Sequence, residues 1–380
     1  MKKIYIGLLG LLLLTSCRDS FNIDNLNEQS KLVISCFPST EDTTWIEVTY
    51  SIPVSKGAAI KDVFDYMEVK DAHVVYRVNG EERPVGWKDR VYDYVFGHKQ
   101  ERPKTIACYY VTGPHQPGDV VELNVSAAGY EPVSATTVVA QSVPIVLNSV
   151  KETEIYDTYE EYRRSVYQLA ATFTDPAEST DYYAVRVRCK HYCGIAIGDL
   201  RPDFEFYDNW SDDQRHVEWP LDDKISYENI LMGWADAYDF HLVLDSAYTN
   251  PDVLLMSEPL LQTLSTTDQD FGFDNGFYQN FYIFSDEKIK GQTYTLHLNI
   301  SKWHDENIQY CYLPVQYQVE LYHLTPEFYH YVKSINDVDN NDLAESGLSM
   351  LSPTFSNVRG GIGLVGGYCV AESNWMTLEP

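Results

Sequence analysis

Positive charge is scarce in this sequence. Lysine and arginine number 28 against 56 acidic residues, for a formal net charge of −28. Such a chain offers no surface for nucleic acid, whose phosphates call for clustered Lys and Arg. Nor does it suit an anionic membrane leaflet. Long apolar runs are equally scarce. The single one, Ile4 to Leu14, is about eleven residues, roughly half of what a spanning helix requires. Internal repeats and low-complexity tracts are absent.

Catalytic signatures are missing too. There is no H-E-x-x-H, no G-x-S-x-G and no repeated cysteine pair with zinc spacing. Two stretches imitate a site. Gly361 to Gly366 has the G-x-G-x-x-G spacing, but no βαβ unit surrounds it and the chain ends soon after. It reads as a glycine-rich strand approached closely by another backbone. Asp337 to Asp342 has the acidic rhythm of a calcium loop, yet Asp342 stands where glycine is required and Leu348 where glutamate is. No catalytic residue, metal ligand or cofactor is therefore expected.

What is present begins at the amino terminus. Met1-Lys2-Lys3, the apolar run and Leu14-Thr15-Ser16-Cys17 make a secretory signal ending in a bacterial lipoprotein box. Residues 1–16 are expected to be removed and Cys17 to carry lipid, since several acyl chains together make a stable anchor. Residues 17–30 read as the lipidated cysteine and a flexible tether.

The body is rich in tyrosine, 30 residues, as β-proteins often are. Short β-rich runs recur at 31–37, 43–52, 72–78, 108–111, 120–125 and 132–139. Asn79-Gly80 and Pro117-Gly118-Asp119 mark turns. This spacing predicts a mainly β protein with an immunoglobulin-like β-sandwich over 31–143. A second β-rich domain is expected over 144–380, with one or two short helices and an irregular acidic, aromatic insertion around 199–234. Thr325-Pro326-Glu327 is the clearest helix start: Thr as cap, Pro in the first turn, Glu at the positive end of the dipole.

Seven cysteines are present. With Cys17 assigned to lipid, six remain, and an exported location permits bridges. Cys36 and Cys108, both in the first sandwich, are the expected pair if any forms. For partner contact the candidates are Phe204, Phe206, Tyr207 and Trp210, aromatics crowded in the insertion. The other reading of these aromatics is ordinary packing within their own domain.

Several segments together resemble a known family. They are Asp175-Pro176 followed by Asp181-Tyr182-Tyr183, Phe284-Ser285-Asp286-Glu287 with Lys290 to Leu296, Pro326 to Val332, and Ser356 to Tyr368. In order and spacing these resemble a family of Bacteroidota outer-membrane lipoproteins catalogued as a domain of unknown function (DUF4249). The family has no assigned catalytic residues. The resemblance implies an accessory lipoprotein of the outer membrane, associated with a TonB-dependent receptor or another envelope protein. Which face of that membrane it occupies is left open. The resulting expectation is a non-enzymatic binding subunit. A surface glycan- or peptide-acting hydrolase and an adhesin subunit are the alternatives.

Overall fold

The computed structural model describes residues 29–52, 68–95, 98–157, 162–200, 216–220, 238–255, 258–261, 282–302, 315–339 and 354–379. The chain is mainly β, and one α-helix is found among these residues. None of their helices is long and apolar enough to cross a membrane.

The amino-terminal part contains β1 (Leu32–Cys36), β2 (Thr43–Tyr50), β3 (His73–Val78), β4 (Glu81–Arg83), β5 (Gly86–Val95), β6 (His98–Thr112), β7 (Val120–Ser126) and β8 (Val133–Val138). Alternation puts every second residue inside. Leu32, Ile34 and Cys36 of β1 are buried, as are Val121, Leu123 and Val125 of β7. Two sheets close over these side chains, β1-β2-β6-β5 facing β4-β3-β7-β8. That order corresponds to strands A-B-E-D against C′-C-F-G of an immunoglobulin-like sandwich. The turn between β3 and β4 is made by Asn79 and Gly80, with φ of 52° and 83°. Both residues must have positive φ in the tight hairpin turn that suits strand twist, which is why this pair closes it.

The expected bridge between Cys36 and Cys108 is not formed. Strand β2 lies between their strands. The two cysteines are thus two strand spacings apart, about 9.5 Å, beyond the roughly 7 Å limit for a disulfide. The register pairs Cys36 with Ile46 and Ile46 with Tyr109. Those three share a face, so Cys108 points to the other side of the sheet. Burial pushes the Cys36 thiol well above its ordinary value, so it stays protonated.

The following strands are β9 (Ile145–Asp157), β10 (Tyr162–Thr174), β11 (Tyr182–Leu200), β12 (His216–Pro220), β13 (Tyr238–Thr249), β14 (Tyr282–Ser285), β15 (Thr293–Ser301) and β16 (Gln316–Leu324). Then come helix α1 (Pro326–Asp339), β17 (Ile362–Val365), β18 (Tyr368–Glu372) and β19 (Met376–Thr377). The arrangement repeats the first: β9-β10-β15 packs against β14-β11-β16-β18 around Leu169, Phe173, Tyr183, Val187 and Leu298. The second part is therefore itself a sandwich with strand order A-B-E against C′-C-F-G. Strand β11 outruns it. Pairing with β16 stops at Lys190, and the chain continues to Leu200 paired with β13 and β12. The described part of the insertion, expected to be irregular, is thus strand.

The link between β16 and β18 corrects the expected division at residue 143. After α1 the chain returns to the first sandwich, where β17 adds to the edge of β1 in parallel, Val33 beside Ile362 through Cys36 beside Val365. Val358 and Val365 complete the first core. Gly363 has φ of 115°, and a Cβ there would overlap the Ile34 carbonyl oxygen. At Gly367 a Cβ would overlap that of Val138. The terminal glycines thus serve close backbone approach, as their sequence context suggested. Phe328 and Val332 of α1 fill the junction with Leu324 and Leu364, and the Phe328 ring lies 5.1 Å from that of Phe37.

Candidate functional site

Two groups of polar side chains are built into the second sandwich. The first lies at one end of its sheets. Asp175 follows the last residue of β10, Asp181 precedes β11, and Asp286 opens the short 3-10 turn after β14. Turns are where aspartate is favoured, because its carboxylate takes up backbone N–H groups that leave the ladder. Here that accounts for Asp175, whose Oδ2 accepts from the Gly291 N–H at 2.7 Å while its Oδ1 accepts from Tyr183 Oη at 2.6 Å. Asp181 Oδ2 accepts from Ser179 Oγ, and its Oδ1 lies 2.9 Å from His323 Nε2. The other imidazole nitrogen, Nδ1, donates to the Gln141 carbonyl at 2.8 Å, in the connector between the sandwiches.

All three aspartates are buried, with exposures of 2%, 5% and 2%, and His323 is at 7%. Each offers a carboxylate oxygen, and these oxygens lie within 4.8 Å of one another. Asp286 Oδ2 is fully enclosed and has no hydrogen-bond partner. Burial, the bond to Asp175 and the surrounding carboxylates keep the Tyr183 hydroxyl protonated, as a donor. Chemically the cluster is a set of hard oxygen donors. All three aspartates lie in the segments that carry the family resemblance, where no chemistry is assigned to them. They are about 110 residues apart at the extremes, and only strand pairing brings them together.

The second group lies on the outer face of β11, β16 and β18. Val185, Val187 and Cys189 point to the core, so Arg186 and Arg188 point outward. Glu320, 3% exposed, receives Arg186 at 2.6 Å, Arg188 at 3.0 Å and Tyr322 Oη at 2.9 Å. Burial first, then the Glu320 charge, holds the Tyr322 hydroxyl protonated. The Arg188 guanidinium lies 5.0 Å from the Tyr248 ring centre and 5.7 Å from that of Trp375. Tyr248 is half exposed. The result is a cationic and aromatic ledge fixed from beneath by a buried carboxylate.

Residues 18–374 match the family described as Domain of unknown function (DUF4249). The chain belongs to that family. No curated protein and no solved structure matches it. Of the residues singled out by sequence, Cys17, Phe204, Phe206, Tyr207 and Trp210 lie outside the described residues. Cys36 and Cys108 belong to the first sandwich and touch neither group. The ledge of this DUF4249 chain was not legible in sequence, since Arg188, Tyr248 and Trp375 come from three distant segments.

Proposed function

We propose that this protein is a non-enzymatic, outer-membrane-anchored lipoprotein that acts as an accessory or binding subunit of a TonB-dependent transporter. The observation that carries the binding role is the ledge of Arg188, Tyr248 and Trp375 above the buried Glu320. Partly exposed aromatics stacked on arginine are the residue types that dominate protein interfaces, and here they are held rigid before any partner arrives. The lipoprotein box supports the anchor. A tether at Cys17 confines the protein to a membrane plane and raises its effective concentration toward an integral partner. The transporter as partner follows from the family resemblance.

The test is quantitative co-purification of outer-membrane barrels with the lipidated protein, beside a thermal melt. Tyr248→Ala with Trp375→Ala is expected to lower recovery by about thirtyfold or more, the equivalent of one hot spot, with an unchanged melt. Phe206→Ala with Trp210→Ala examines the insertion in the same way. Cys17→Ala is expected to abolish membrane retention. Full recovery of the barrel by both double variants would refute the partner surface, and continued retention of Cys17→Ala would refute the anchor.

A further inference from the structure

Asp175 and Asp286 are buried at the end of the second sandwich without an ion-pair partner among the described residues. The Gln141 carbonyl can only accept, so His323 Nδ1 carries a proton. The contact between Nε2 and Asp181 Oδ1 needs one further proton, on either atom. Asp175 and Asp286 remain. The ion pairs formed among the described residues include neither of them. Lys290, close by in sequence, donates instead to Thr180 Oγ1 at 3.3 Å. Asp175 has its two donors, Tyr183 and Gly291, but Asp286 Oδ2 has neither donor nor solvent. An enclosed carboxylate oxygen with nothing to accept from is too costly to leave unanswered.

We propose that Asp175, Asp181 and Asp286 hold one calcium ion, with Asp286 Oδ2 as the ligand atom that has no other partner. The donors are all carboxylate oxygens, which select hard cations over zinc or copper. Their mutual separation, within 4.8 Å, is that of ligands around a calcium ion with bonds of about 2.4 Å. Magnesium gives up its waters reluctantly and seldom occupies an all-protein cage, so a site this enclosed favours calcium. The ion ties the β10–β11 turn to the turn after β14. Through Asp181 and His323 it also steadies the connector at Gln141. The inference is independent of any partner on the ledge.

The full-length lipidated protein in detergent, stripped with chelator, is melted with excess chelator, with calcium and with magnesium. Calcium at about a hundredfold over its dissociation constant is expected to raise the melting temperature by roughly 5 °C or more. Asp286→Asn, which keeps the shape and removes the charge, is expected to lose that response. In chelator it should melt at or above the stripped wild type, because an unanswered buried charge is gone. A purely structural aspartate would instead lower the melt under every condition. Wild-type protein that binds no radioactive calcium in equilibrium dialysis and melts alike with and without it would overturn the proposal. So would an equal response to magnesium. Dialysis on the wild type decides the matter even where Asp286→Asn fails to fold.

Discussion

His115 sits in the turn region after β6 with 1% exposure, its Nδ1 against the Ser39 carbonyl at 3.0 Å and its Nε2 against Tyr76 Oη at 2.8 Å. The carbonyl can only accept, so Nδ1 carries the proton and Nε2 accepts from tyrosine, which leaves the ring neutral. Burial, then the nearby Arg83 charge, lowers its pKa from 6.5, against the weaker pull of the Ser39 bond and Asp119. The unfolded chain therefore takes up this proton at higher pH than the folded one. The stabilisation is complete above about 6.5 and is lost as pH falls toward the depressed folded value. Melting temperature is expected to drop on acidification below about 6.5, and His115→Gln should flatten that slope. An equal slope in the variant would assign the acid sensitivity elsewhere. Tyr76, pushed up by burial, remains a donor throughout.

At the scale of elements, α1 starts where its sequence says it should, but not by the expected means. Thr325 accepts the first helical bond through its carbonyl, from Tyr329 N–H at 3.0 Å, and its own N–H donates to Gly367 at 3.0 Å. Its hydroxyl is buried without a partner. The end is therefore held by backbone and by Pro326 rather than by a side-chain cap. Thr325→Val is expected to change stability by no more than about 0.5 kcal/mol, or to raise it, because the lost group is unpaired. A working cap would cost about 1 kcal/mol. Denaturant unfolding separates the two outcomes. The apolar positions Phe328 and Val332, four apart, share one face of the helix and are buried.

At the scale of the whole molecule, β17 joins the two sandwiches. A strand almost at the carboxyl terminus completes the sheet that begins the chain, and both Gly363 and Gly367 are required for the backbones to meet. Gly363→Ala would impose a side chain at φ 115° and against the Ile34 carbonyl, for an expected loss of roughly 3 kcal/mol from strain and overpacking together. Gly129, with φ of 87° but open space around it, should tolerate Ala at a cost near 1 kcal/mol, from strain alone. Amide exchange locates the damage. Protection should fall in β1 for Gly363→Ala, and unchanged protection there would mean that β17 contributes little to the first core.

Sequence alone determined the fold class, six of the eight strands of the first sandwich (β4 and β5 were not among them), the Asn79-Gly80 turn and the start of α1. Each of these is written in residues within a few positions of one another: alternation, turn pairs, a proline after a threonine. It also placed Asp175, Asp181 and Asp286 in the family segments. Tertiary structure alone brought those aspartates together, because strand pairing joins turns far apart in the chain and burial removes their water. It also decided that Cys36 and Cys108 face opposite sides of a sheet. Spacing along the chain carries no record of the strand that comes between them. The return of β17 to β1 and the stacking of Arg188 with Tyr248 and Trp375 belong to the same class. Both depend on which strands become neighbours, and that is settled by the packing of whole sheets rather than by any local pattern.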